Sequence, residues 1–299
     1  NKIRVQLNNT VDANNPFRVA SVVADGPADV AGKDIQPGDV LTAIDGKEVN
    51  TEMNREMYFN RPSMPEEVSL TFQRNRNSFT TKIHPESYFS TRNNLYDEWV
   101  DEKQEMVDSE TDERVAYVHM KNMGGGELEN FLTEMTSEGY HRDALILDLR
   151  YNTGGNVHND VLQFLSQQPY AKWKYRNGEL ASQPNFTPAA KPIILLQNEQ
   201  SLSDAEVTAA GFKALNLGTI VGTETYRWII FTSGKGLVDG SFYRLPAWGV
   251  YTLDDERNLE RTGVKPDIEV FNNFKDRLNG TDPQLTKAIE LALEQLGNN

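Results

Sequence analysis

The chain has 299 residues, 38% hydrophobic and 25% charged, with a net charge of −14 and no cysteine. That length accommodates two ordinary domains. So acidic a chain lacks the basic face a phosphate backbone needs, which argues against nucleic acid as a partner. No apolar run is long enough to span a bilayer, which argues against membrane insertion, and the missing cysteines exclude disulfides, thiolate zinc sites and a cysteine nucleophile.

The opening Asn1-Lys2-Ile3-Arg4-Val5 has no initiator Met, basic n-region or apolar stretch, and reads as the start of a mature or truncated form. An envelope location is the guess that follows, with the cytoplasm as the alternative. Residues 17–84 read as short strands with one helix. Phe17–Val23 alternates and is β-branched, Gly26–Gly32 is a turn with a short helical piece, and Ile35–Val49 reads turn, strand, Asp45-Gly46 hairpin, strand. Val68–Arg74 alternates again. The ordered set Gly26-Pro27-Ala28, Ala31-Gly32 and Ile35-Gln36-Pro37-Gly38-Asp39 through Ile44-Asp45-Gly46 resembles a PDZ domain of the kind found in bacterial and archaeal proteases. Such domains capture peptide C-termini by adding a strand and holding the carboxylate on backbone N–H groups. The carboxylate loop would fall at Asn14, Asn15, Pro16 and Phe17, which departs from the usual glycine-rich pattern, so a purely structural PDZ stands beside a peptide-binding one.

Residues 87–113 read as a connector, with an amphipathic helix over Asn94–Val107 and Asp97, Glu98, Asp101 and Glu102 on a solvated face. From Arg114 the pattern becomes α/β. Strands are expected at Val115–Met120, Ala144–Arg150, Pro192–Leu196 and Gly218–Gly222, with further β segments through Val250. Helices are expected at Gly126–Gly139, Asn159–Leu165, Asp204–Leu215 and Asp282–Leu296. Alternating strands and helices imply a mostly parallel sheet with functional residues at strand C-termini.

Two of those ends carry chemistry. Leu195–Val207 reads as a buried strand, a polar break, then a helix opening on Ser203-Asp204. A strand-to-helix elbow presents a hydroxyl where backbone N–H groups and the helix dipole stabilise an oxyanion; the plainer reading of Ser203 is a helix N-cap. Gly154-Gly155, after a strand buried on both faces, lets the backbone expose N–H groups that a Cβ would block.

Val115–Met120, Ile146–Val157, Asn198–Asp204, Gly218–Thr225, Gly236–Ser241, Leu259–Val270 and Gly280–Leu285 occur in the order seen in tricorn protease, and the chain resembles the PDZ plus C-terminal catalytic domain of a tricorn-like serine protease, kin to the carboxyl-terminal processing proteases. The resemblance implies a PDZ-like β domain over 1–86, the connector over 87–113, and a ClpP/crotonase-like α/β catalytic domain over 114–299. It implies Ser203 as nucleophile, Gly155 and Asp204 as backbone oxyanion donors, and Glu260 as an acid supporting the machinery through a hydrogen-bond relay; the plainer reading of Glu260 is a salt bridge to Arg261. The family's catalytic histidine lies on a segment before the PDZ domain, so the base is expected upstream of Asn1. Of the four histidines, only His158 falls near the site, where a helix-surface role is expected. The alternative base is Lys235 in Ser233-Gly234-Lys235-Gly236, since a desolvated lysine serves the Ser/Lys processing proteases.

Tyr226–Ile230 replaces the family's glycines, and basic Ala171–Arg176 stands where tricorn protease supplies an acid; acidic or apolar P1 side chains are therefore expected. The partners implied are peptides or unfolded polypeptides, with a homo-oligomer as a further expectation, and the chemistry requires no metal or organic cofactor. The rival function is a peptide-binding scaffold with a decayed serine site.

Overall fold

The computed structural model describes residues 6–7, 15–30, 32–59, 66–183 and 191–297. The chain divides into two compact units, residues 1–102 and 103–299.

In the first unit, β1 (Gln6–Leu7) pairs with β2 (Val19–Ser21), and β3 (Val40–Ile44), β4 (Lys47–Glu48), α1 (Glu56–Phe59), β5 (Val68–Arg74) and β6 (Asn77–Ile83) follow. The last four strands form an antiparallel sheet in the order β4-β3-β5-β6. Asp45 and Gly46 both have positive φ (49° and 74°), the two-residue turn that Asp-Gly predicts. The Pro37-Gly38-Asp39 turn is pinned by Asp39, whose buried carboxylate accepts two bonds from Arg74 (2.7 and 2.8 Å) and one from the Gln36 N–H (2.8 Å). Alternation along β5 puts Val68, Leu70 and Phe72 into a core with Phe17, Val19, Leu41, Ile44 and Ile83.

The connector helix α2 (Tyr88–Thr111) is longer at both ends than its apolar spacing suggests: Tyr88 and Phe89 at its start are exposed, and its last turn, Asp108–Thr111, is polar and carries no hydrophobic signal. Glu98, expected on a solvated face, accepts a bond from the Ala24 N–H (2.6 Å).

In the second unit come β7 (Val115–His119), α3 (Gly125–Thr136), α4 (Glu138–His141), β8 (Ala144–Asp148), α5 (His158–Leu165), the hairpin β9 (Ala171–Lys174) and β10 (Leu180–Gln183), β11 (Ile193–Gln197), α6 (Asp204–Ala214) and β12 (Thr219–Gly222). A second hairpin, β13 (Ile230–Gly236) and β14 (Phe242–Gly249), precedes α7 (Leu259–Thr262), β15 (Ile268–Glu269), α8 (Phe274–Leu278) and α9 (Pro283–Gly297). Five strands form one parallel sheet in the order β15-β12-β11-β8-β7. Every residue of β7, β8 and β11 is buried, as a sheet covered on both faces requires. One face carries Val118, Leu145, Leu147, Ile193, Leu195 and Ile220 against α3, α5 and α6. Against the sheet's middle strands α9 buries Leu285, Ala288, Ile289 and Ala292.

A buried ion network ties the end of β8 to α9. Arg150 pairs with Asp148 through Nε and Nη2 (2.6 to 3.0 Å) and with Asp282 through Nη1 (2.7 and 3.0 Å), and the Tyr117 hydroxyl donates to Asp148 (2.9 Å). The loop that follows Arg150 therefore starts from a fixed point.

Candidate active site

Ser203 sits between β11 and α6 with φ 57° and ψ −117°. A non-glycine residue held at positive φ is strained, as in the strand-to-helix turns that present nucleophiles. Its backbone is fixed from α6: the Ser203 N–H donates to Glu206 Oε1 (3.1 Å) and the Glu206 N–H donates to Ser203 O (2.9 Å). No side chain among the described residues hydrogen-bonds the Ser203 hydroxyl. Ser201, two residues earlier, is fully buried; its Oγ donates to Leu149 O (2.8 Å) and accepts the Asn198 N–H (3.0 Å). Of the two serines in the motif, Ser201 locks the turn, while Ser203 opens α6 in a capping box with Glu206.

The glycine loop is laid against this elbow. Buried Asn152 anchors it, donating to Met120 O (2.7 Å) and accepting the Gly154 N–H (2.8 Å), while its carbonyl takes the Leu202 N–H (3.0 Å). A Cβ on Gly154 would stand 2.6 Å from Ser203 Cβ and 3.2 Å from Asp204 N, and one on Gly155 would stand 2.0 Å from Met123 O. Only glycine allows either approach. The N–H groups of Gly154, Asn156, Val157, Ala205 and Glu206 are all hydrogen-bonded. Those of Gly155 and Asp204 have no partner among the described residues. One of these donors follows Ser203 in the chain and the other follows Gly154, whose backbone lies against Ser203; paired N–H donors are what an oxyanion hole needs.

Glu206, within Leu195–Val207, holds the elbow together. Its fully buried carboxylate takes four donors: the Ser203 N–H, the Trp228 N–H (2.8 Å), the Arg227 N–H (2.8 Å) and the Thr225 hydroxyl (2.5 Å). It joins Ser203 to the segment after β12. The Tyr226 N–H also donates to Ser201 O (3.0 Å). Tyr226–Ile230 is thus tied to the elbow, with the rings of Tyr226 and Trp228 exposed and 5.9 Å apart. The sequence does not single out Glu206, because the capping position three residues past a serine explains an acid locally. Its other partners lie 19 to 22 residues away.

Asp204 contributes its side chain as well as its N–H. Its buried carboxylate accepts the N–H groups of Val157 (2.8 Å) and His158 (3.0 Å), and His158 Nδ1 lies 2.5 Å from its other oxygen. His158 is half-buried and paired rather than a free helix-surface residue, which corrects the sequence expectation; the hydrogen bond to Asp204 raises its pKa, against the opposing effect of burial.

The remaining candidates lie further out. Glu260 is on α7, its N–H capped by Asn258 Oδ1 (3.0 Å). After α7, the Val264 N–H donates to Thr225 Oγ1 (2.9 Å) and the Thr225 N–H to Val264 O (3.2 Å), so α7 is one link removed from Glu206. Lys235 is exposed on β13 opposite Tyr243, and its side chain has no hydrogen bond or ion pair among the described residues. Asn14 lies outside the described residues. In the loop expected from sequence to hold a carboxylate, the Phe17 N–H is taken by Asn15 Oδ1 (3.1 Å), the Arg18 N–H by Asn15 O (3.2 Å), and Pro16 has no N–H to offer. Phe17 itself is core, edge-on to Tyr58 at 5.7 Å.

The sequence model of "Peptidase family S41" matches residues 114–270, which hold the elbow, the glycine loop and α7. The chain belongs to peptidase family S41. A PDZ domain model matches residues 3–84 of this S41 chain. A tricorn protease homolog of Saccharolobus solfataricus is 29% identical over 266 residues, 89% of this chain and 24% of that protein. The crystal structure of the tricorn protease superposes with a TM-score of 0.75 at 25% identity, covering 90% of this chain and 26% of that one. A carboxyl-terminal-processing protease of Synechocystis is 24% identical over 295 residues, 93% of this chain and 65% of that protein. This S41 chain thus spans about a quarter of the length of those two tricorn relatives, and the PDZ-like domain followed by an α/β domain agrees with the architecture expected from sequence.

Proposed function

We propose that this chain is the PDZ and catalytic part of a tricorn-like serine peptidase that cleaves peptides or unfolded polypeptides through an acyl-enzyme on Ser203. The observation that carries the reading is the pair of unspent N–H groups, on Gly155 and Asp204, beside a serine held at positive φ. Ser203 Oγ attacks the scissile carbonyl carbon as a base takes its proton. The carbonyl oxygen becomes an oxyanion between the two N–H groups, which strengthen their hold as charge develops; a donor of this kind contributes about 3–4 kcal/mol. The C–N bond then breaks, the amine leaves with the proton, and water releases the acyl group from Ser203.

The base is assigned to a histidine N-terminal to Asn1. Supporting this, Lys235 is solvent-exposed, and a lysine base requires desolvation. Glu260, on α7, is taken as the acid that supports the site, and the peptidase is taken to act as a homo-oligomer. The similarity to a carboxyl-terminal-processing protease keeps the Ser203/Lys235 pair as the second reading. Peptide hydrolysis by the protein with and without the region upstream of Asn1 tests the assignment. Turnover that needs that region and vanishes in Ser203→Ala supports it; turnover by the 299-residue chain that vanishes in Lys235→Ala transfers the base to Lys235.

A further inference from the structure

The mechanism above uses the N–H of Asp204 and leaves its carboxylate and His158 without a task. That carboxylate is buried one residue from the nucleophile and reaches across to the start of α5, where Val157 N–H, His158 N–H and His158 Nδ1 converge on it. All three donors follow closely on Gly155. The same side chain thus fixes the glycine loop to the residue that carries the second unspent N–H. An ionised carboxylate at that place also repels an oxyanion forming on its own backbone N–H.

We propose that His158 is a positioning residue that sets the Gly155 and Asp204 donors in register through Asp204 and, as an imidazolium, neutralises the Asp204 carboxylate beside the forming oxyanion. The inference rests on the acyl-transfer reading of Ser203. With the imidazole protonated the pair carries no net charge; with it neutral the pair carries one negative charge. A unit charge so placed, in a partly buried site, changes the rate of oxyanion formation by about tenfold or more.

The groups acting on His158 are Asp204 from α6 and Asp160 on its own helix. Among the described residues, helix α3, which packs on α5 through Phe131 and Phe164 (ring centroids 5.4 Å apart), adds no charge to those of Asp204 and Asp160. The Asp204 bond, with the charges of Asp204 and Asp160, keeps the imidazolium to higher pH than in a free histidine, and burial works against them. The compensating charge is therefore present at low pH and is lost as pH rises through the raised value.

The test is the rate at which a fluorophosphonate modifies Ser203 between about pH 5 and 9, in the form of the protein in which Ser203 reacts, together with the His158 ring titration by nitrogen-15 NMR. The wild-type rate should fall on the alkaline side at the midpoint of His158. His158→Gln, which keeps a donor and never the charge, should lack that fall and react about tenfold more slowly at the wild-type optimum. Reaction at Ser203 within twofold of wild type and with the same pH profile would overturn the proposal while leaving the acyl-transfer reading intact. Should the variant not fold, a wild-type alkaline limb that departs from the His158 midpoint overturns it alone. Absence of reaction at Ser203 in every form removes the acyl-transfer reading, and this inference with it.

Discussion

Gly155→Ala isolates the proposed oxyanion hole from the rest of the site. A Cβ there would stand 2.0 Å from Met123 O, 2.2 Å from Met123 C and 2.8 Å from Met123 Cα. These are backbone atoms of a strand-to-helix connection and cannot swing aside as a side-chain tip would. Ordinary contact begins at 3.4 Å, so the loop must retreat by about 1.4 Å (3.4 − 2.0). Catalytic groups tolerate about 0.5 Å, and a misplacement of about 1 Å costs on the order of 100-fold in rate. Losing one oxyanion donor costs about 100- to 1,000-fold, or about 3–4 kcal/mol of transition-state stabilisation. The expected outcome is therefore a fall of at least about 100-fold in peptide turnover with KM little changed. Gly125→Ala at the start of α3, where an added Cβ meets nothing within 4 Å, is the control and should leave turnover unaltered. Circular dichroism and thermal melting of both variants separate misfolding from misplacement. A folded Gly155→Ala protein with turnover within threefold of wild type would refute the argument, because the Gly155 N–H would then have no part in the reaction.

Three further outcomes follow from the same geometry. Glu206→Gln turns one buried acceptor toward donors it can no longer satisfy, at about 1–3 kcal/mol for each group left unpaired, so the melting temperature and turnover should fall together; unchanged melting would mean the four bonds to Glu206 are not formed. Arg150→Met leaves Asp148 and Asp282 buried without their partner and should destabilise the second unit by about 3–5 kcal/mol, measured by urea unfolding. Burial alone would raise the Asp282 carboxyl, yet the charge and hydrogen bonds of Arg150, with the bonds from Asn272 and the Leu285 N–H, outweigh it and hold the pKa below its ordinary value. This stabilisation is accordingly present above the unfolded-state pKa and lost as pH falls through the folded value; acid unfolding of Asp282→Asn should be flatter over that range, and a slope equal to wild type would contradict the assignment.

How much of this was legible in the sequence depended on how local each signal was. The Asp45-Gly46 hairpin, the alternation of Val68–Arg74 and the apolar runs Ala144–Leu149 and Ile193–Leu196 are decided by neighbours, and the structure places strands on all of them. The hairpins β5–β6 and β9–β10 were less visible, since β6 and β9 expose most of their residues and carry little hydrophobic contrast. At the site, Ser203, Asp204 and the glycine pair stand out because a strand end followed by small residues has few uses. Glu206 and His158 do not, because each has an adequate local explanation and reveals its task only when residues 225–228 and the α6 N-terminus fold against it. The tight fit of Gly155 against Met123 is likewise a tertiary fact, invisible in a Gly-Gly dipeptide.

The central claim is that Ser203, and not Ser201, is the nucleophile of a peptidase site completed by the region upstream of Asn1. Treating the protein with a fluorophosphonate, with and without that region, and locating the adduct by mass spectrometry tests it most directly. The account predicts one adduct, on Ser203, formed when the upstream region is present and absent from Ser203→Ala. An adduct on Ser201, or none on Ser203 with the upstream region in place, would contradict it.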